Sequence, residues 1–147
     1  MKILMVCLGN ICRSPLAHGI MEAMAKEKGL DWEVDSAGTG NWHVGEAPDR
    51  RSIRTARAHG IDISGQVCRL FKVSDFDTYD HIFVMDRNNL RDILGQARNH
   101  EDEKKVKLLL GDKIVPDPYY EDEQFEPVFS MIRDRCKQLV KELSASA

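Results

Sequence analysis

Long apolar runs are missing from this 147-residue chain, and no stretch of it has the length needed to span a bilayer. The N-terminus carries one lysine and an apolar run too short for a signal peptide. An excess of one charge is missing too. Lys and Arg number 21 and Asp and Glu 24, leaving a formal charge of −3 and no broad basic face for nucleic acid or a membrane surface. Four cysteines, at 7, 12, 68 and 136, fit no zinc pattern, and five scattered histidines offer no paired ligand spacing. We therefore expect no metal and no cofactor. With no export signal, the cysteines read as thiols in a reducing, cytoplasmic compartment. Repeats, linkers and low-complexity segments are absent, so residues 1–147 read as one domain, large enough to bury roughly 68–70% of its unfolded surface.

What is present is an alternation of strands and helices. Residues 2–6, 32–37, 81–85 and 106–110 read as strands. Helices are expected over 15–28, 49–59, 87–97 and 122–143, from apolar residues at helical spacing and glycine stops such as Gly29 and Gly60. This order predicts an α/β, three-layer doubly wound fold, a parallel sheet with helices on both faces. Ligands in such sheets bind beyond the carboxyl ends of the strands. The long polar loop 38–48 is of a length that is usually functional. The charged run Glu101-Asp102-Glu103-Lys104-Lys105 reads as a solvated loop.

The most informative segment is Cys7-Leu8-Gly9-Asn10-Ile11-Cys12-Arg13-Ser14. It joins the buried run Ile3–Val6 to a helix start, with Ser14 as N-cap and Pro15 as first helical residue. A loop there can turn backbone N–H groups inward beside the positive end of a helix dipole, which makes an anion site. A cysteine inside it would be held as a nucleophilic thiolate, and Arg13 could grip two oxygens of a phosphate. Bare Cys-x5-Arg spacing is a weak signal; the following Ser and the strand-to-helix context make it specific. The competing readings are a small buried thiol for Cys7 and a solvated helix-start residue for Arg13. The second is awkward, since a cation at a helix N-terminus is unfavourable without an anion.

The octapeptide resembles the active-site loop of the low-molecular-weight protein tyrosine phosphatases. Val34-Asp35-Ser36-Ala37-Gly38-Thr39 and Asp117-Pro118-Tyr119-Tyr120 resemble the family's second strand and acid loop. The resemblance implies a four-stranded parallel sheet in the order 2-1-3-4. It implies metal-independent hydrolysis of protein phosphotyrosine, with Cys7 forming a phosphocysteine, Arg13 holding phosphoryl oxygens and Asp117 acting as general acid and base. Leu8, Gly9, Asn10, Ile11 and Cys12 contribute the phosphate loop, and Gly9 and Asn10 suit unusual backbone angles. Ser14 can donate to the Cys7 thiolate. The resemblance also implies that Asn10 bonds Ser36 to lock the loop. A histidine that joins this network in vertebrate members has no counterpart within Ile63-Ser64-Gly65-Gln66. Trp42 and Tyr119 are read as pocket walls, with a loop aromatic folded onto the surface as the alternative for Trp42. Tyr120 is read as an exposed, phosphorylatable tyrosine or a packing residue, and Asp86 as structural. His59 is read as a partner of a helix C-terminus. Cys12 is read as a redox partner of Cys7 or as a small residue beneath the loop.

Implied partners are phosphotyrosine-containing proteins, a tyrosine kinase among them, and inorganic phosphate or similar oxyanions. Three rival functions share parts of the pattern. A thioredoxin-coupled arsenate reductase would use further cysteines near residues 80–90, where this chain has none. A phosphoarginine phosphatase resembles the loop but carries threonine where Ile11 stands here. A phosphotyrosine-binding module without turnover would not require Cys7, Arg13 and Asp117 together.

Overall fold

The computed structural model describes residues 1–145. Four parallel strands form the sheet: β1 (Lys2–Cys7), β2 (Glu33–Gly38), β3 (His81–Val84) and β4 (Val106–Leu108). Their order is β2-β1-β3-β4, as the resemblance implied. The helices are α1 (Arg13–Glu27), α2 (Arg50–Ala58), α3 (Asp75–Thr78), α4 (Arg87–Leu94), α5 (His100–Lys104) and α6 (Phe125–Ala145), the last preceded by a 3-10 turn, Asp122–Gln124.

Strand β1 has no exposed face. Its side chains alternate between two apolar clusters, which is what the period of two requires. Ile3, Met5 and Cys7 join residues of α1 and α6, whereas Leu4 and Val6 join Phe71, Phe76 and Ile93 on the other side. The sheet is thus covered on both faces, as expected for a parallel sheet. Because β2 and β3 flank β1 on opposite sides, the chain order reverses at β1. The loop leaving Cys7 therefore opens at the switch point where such folds bind ligands.

Several boundaries differ from the sequence reading. Helix α1 starts at Arg13, with Cys12 at the N-cap, so Ser14 is not the cap and Pro15 is the third helical residue. Ser14's hydroxyl is engaged elsewhere. Strand β4 ends at Leu108, and the chain turns at Gly111, whose φ of 81° suits glycine. Helix α4 stops at Leu94, and α6 begins only at Phe125. Two short helices were not foreseen. The single turn α3 is too short to show a period, but its Asp75 is buried against Arg69. The charged run at 101–105 is mostly helix α5, not a solvated loop. Asn99 caps it, and Asp102 is buried and accepts hydrogen bonds from the backbone and guanidinium of Arg98.

Candidate active site

The segment between β1 and α1 folds back beneath its own first residue. Asn10 takes a left-handed conformation, with φ 57°, a region asparagine tolerates better than most residues. Its side chain is tied at both ends. The N–H of Arg69 donates to Oδ1 at 3.0 Å, and Nδ2 donates to Ser14 Oγ at 2.8 Å. Cys68 adds a contact from below, its thiol donating to the Asn10 carbonyl at 2.8 Å. Gly9, expected to need an unusual angle, has no positive φ. What constrains it is space, since a Cβ there would lie 3.3 Å from the His43 ring. Gly38 is tighter still. A Cβ would sit 2.9 Å from the Leu8 carbonyl, so β2 can lie against the loop only without a side chain at that position.

The loop's outer bonds all use its carbonyls. Thr39, Gly40 and Asp49 donate backbone N–H groups to the carbonyls of Cys7, Leu8 and Ile11 at 2.8–3.0 Å. Among the described residues, no N–H from Leu8 to Arg13 donates to a protein acceptor. A loop whose carbonyls at Cys7, Leu8, Asn10, Ile11 and Cys12 are taken while its N–H groups stay spare is suited to an anion.

The side chains match that character. Ser14 Oγ lies 3.1 Å from Cys7 Sγ, both residues being buried. Arg13 is buried as well; Nη1 donates to Asp86 Oδ2 at 2.7 Å and to the Val115 carbonyl at 2.9 Å. Burial alone would lower the pKa of Arg13. Cys7, the bond to Asp86 and the charge of Asp117 outweigh it, and the guanidinium is held above its ordinary value. Asp86 was read as structural from the sequence. It does cap α4 in a reciprocal box with Asn89, but its other oxygen orients Arg13 directly. Asp117 stands across the opening, Oδ2 3.9 Å from Arg13 Nη2, while its Oδ1 accepts the Tyr119 N–H at 3.1 Å.

These groups share one cavity of about 290 Å³. Cys7, Cys12 and Arg13 lie on it together with Leu8, Gly9, Ile11 and Asp117, and Trp42, His43, Tyr119 and Tyr120 also line it. Trp42 is 66% exposed and its ring covers the Gly40 backbone so closely that a Cβ there would overlap it. Tyr119 is 42% exposed and Tyr120 85%. His43 was missed; nothing in its sequence surroundings marks it as a pocket residue.

Ser36 does not meet Asn10. Its hydroxyl pairs with His18 Nδ1 at 3.1 Å, and the amide of Asn10 is committed to Ser14. The partner of Ser36 is therefore a histidine of α1. His59, as read, closes α2, and it also pairs with Glu126 and stacks on Phe129. Cys12 is buried, with Ser52 bonding its carbonyl, and burial followed by Asp49, Cys7 and Asp117 pushes its thiol far above the ordinary range. Among the described residues no cluster of three or more His, Cys, Asp or Glu could hold a metal ion, and no helix is long and apolar enough to cross a membrane.

A family model described as low molecular weight phosphotyrosine protein phosphatase matches residues 2–147. The chain belongs to this family. A putative low molecular weight protein-tyrosine-phosphatase of Synechocystis is 42% identical, over 97% of this chain and 96% of that protein. Low-molecular-weight phosphatases of known structure superpose closely. The protein tyrosine phosphatase of Entamoeba histolytica, solved with Hepes in its active site, gives a TM-score of 0.93 at 32% identity, covering 99% of this chain and 98% of that one. A Drosophila arginine phosphatase gives 0.90 at 32% identity, covering 97% and 98%. The chain is therefore a protein-tyrosine-phosphatase of the low-molecular-weight type, and the fold does not by itself distinguish phosphotyrosine from phosphoarginine.

Proposed function

We propose that this phosphatase hydrolyses protein phosphotyrosine in two steps through a phosphocysteine at Cys7. The observation that carries the reading is the cavity floor: a sulphur at the centre of a loop with spare N–H donors, Arg13 beside it and Asp117 opposite. In the first step the Cys7 thiolate attacks phosphorus as the phosphorus–oxygen bond breaks. Asp117, protonated, gives its proton to the departing phenolate, which otherwise leaves poorly with a phenol pKa near 10. Arg13 and the N–H groups of residues 8–13 hold the equatorial oxygens, whose charge they are already arranged to meet. In the second step Asp117 removes a proton from water, the oxygen attacks phosphorus, and the phosphorus–sulphur bond breaks. Ser14 donates to the thiolate that leaves.

The cavity walls support an aryl substrate. Trp42 and Tyr119 offer ring faces for stacking, and a slot with phosphate bound at its floor leaves a short phosphoserine unable to use them. Ile11 lines the same cavity and adds apolar surface suited to an aryl ring. Substrates would be phosphotyrosine proteins, a tyrosine kinase among them, with inorganic phosphate as product and competing oxyanion. The test is rapid-quench trapping of a phosphoenzyme with a labelled aryl phosphate in the presence of chelator. The wild type should form a phosphoenzyme that rapid denaturation preserves and turn over, and Cys7→Ser should do neither. Turnover by Cys7→Ser would overturn the reading.

A further inference from the structure

Arg51 joins the two halves of the cavity. Its backbone N–H and Nε donate to Asp49 Oδ1 at 2.8 and 3.0 Å, and Nη2 donates to Asp49 Oδ2 at 2.9 Å. Asp49 is itself bound to the phosphate loop, its N–H donating to the Ile11 carbonyl at 2.8 Å. On the other side Arg51 Nη1 donates to Asp122 Oδ1 at 2.7 Å. The guanidinium carbon lies 4.6 Å from the Phe125 ring centroid and 5.3 Å from that of Tyr119. One planar group thus spans the phosphate loop, the 3-10 turn, the start of α6 and a cavity wall. Neither carboxylate could substitute for it, because only the guanidinium face meets the rings.

We propose that Arg51 is a positioning residue that sets the width of the aryl slot, by holding Tyr119 at a fixed distance from the phosphate loop. The proposal rests on the phosphotyrosine reading above. Arg51 does not line the cavity, so it makes no direct contact with a phosphate bound there. Its effect falls on the ring of the substrate. The segment it restrains, 116–122, begins with two prolines around Asp117, of which Pro118 is buried, and continues in exposed residues from Tyr119 to Asp122. Asp117 already bonds the Tyr119 N–H, so Tyr119 and the proposed acid move as one piece, and Arg51 is the side-chain link from that piece to α2.

The test uses binding, which does not require turnover: calorimetric titration with benzylphosphonate and, separately, with inorganic phosphate. Arg51→Ala should weaken benzylphosphonate about fivefold, the scale of one aromatic contact, and leave phosphate within about twofold. Tyr119→Leu should give the same selective loss, and the double variant should add little to either. Asp122→Asn, which removes the charge from one leg at an exposed position, should show a smaller loss of the same kind and remain folded. Equal weakening of both ligands would overturn the proposal, making Arg51 a support of the phosphate loop through Asp49. Full additivity of Arg51→Ala and Tyr119→Leu, or unchanged benzylphosphonate affinity in both Arg51→Ala and Asp122→Asn, would do so too. Failure of the wild type to turn over an aryl phosphate would overturn the phosphotyrosine reading, whereas the slot proposal stands or falls on the ligand selectivity alone.

Discussion

Ser14 Oγ stands 3.1 Å from Cys7 Sγ, and its contact with Asn10 fixes which way its proton points. The Arg69 N–H can only donate, so it requires the oxygen of the Asn10 amide, which turns the amide nitrogen toward Ser14. Ser14 therefore accepts from Asn10 and has its single proton free for sulphur. The first prediction follows from that order. Ser14→Ala removes a donor to a charged leaving group, a bond that contributes about 1.5–3 kcal/mol. The expected result is a kcat at least about tenfold lower, with breakdown of the phosphoenzyme as the slow step. Stopped-flow assays should show a larger burst than the wild type. An unchanged burst and an unchanged kcat would leave Ser14 a packing residue.

Asp117 gives the second prediction. Asp117→Asn keeps the size and the hydrogen bond to Tyr119 but cannot pass a proton. Turnover of phosphotyrosine should fall about 10²-fold or more, within the range general acids supply. The loss should shrink for aryl phosphates whose phenols are already acidic, since these leave without help. Phosphate affinity should be spared. Losses of equal size across both substrate types would remove Asp117 from the acid role.

His18 gives a stability prediction with a definite sign. It is buried between Ser36 and Glu22, and burial lowers its pKa below the ordinary 6.5, although Glu22 and Asp35 oppose the shift and Arg69 adds to it. A group whose folded pKa is depressed stabilises the fold above its unfolded pKa. That contribution fades as pH falls from about 6.5 through the folded value. His81, also lowered by burial, acts in the same direction, so the informative quantity is the difference between proteins. His18→Asn keeps a polar atom for Ser36 but does not titrate. Urea midpoints measured from pH 7.5 to 5 should fall less steeply for this variant than for the wild type. Parallel slopes would show that His18 has the same pKa in the folded and unfolded states, and a steeper fall in the variant would show that the fold holds it charged.

The fold was legible because β1 is buried on both faces and reads as an unbroken apolar run, and because Gly29 and Gly60 mark helix ends. The site was legible where residues are adjacent in sequence, from Cys7 to Ser14. Contacts between distant segments were not. Asp86, 73 residues from Arg13, carries a plain helix-cap signal that says nothing of its second oxygen. Arg69 reaches Asn10 through a backbone N–H, which no residue type advertises. Ser14 was misplaced as a cap because capping and sulphur contact call for the same hydroxyl. His18 hides at the polar edge of an apolar helix, where a solvated histidine would look the same.

The last prediction concerns Cys12, a buried residue that lines the same cavity as Cys7. Peroxide would convert the Cys7 thiolate to sulfenic acid, releasing hydroxide, and attack by Cys12 on that sulphur would expel water and leave a disulfide. The attacking form is the thiolate, and the surroundings of Cys12 disfavour it. Burial contributes most, and the charges of Asp49, Cys7 and Asp117 add to it. Oxidation of Cys7 removes one of those charges, so Cys12 becomes a better nucleophile at the moment it is needed. Capture should still be limited by ionisation, and therefore faster at higher pH. Peroxide should inactivate the wild type in a way that dithiothreitol reverses, and bound phosphate should protect. The recoverable fraction should rise between pH 6.5 and 8.5 at fixed peroxide dose. Cys12→Ser should retain much of its activity yet lose most of this recovery, with no dependence on pH. Full recovery of Cys12→Ser would reduce Cys12 to a small side chain that fits beneath the loop.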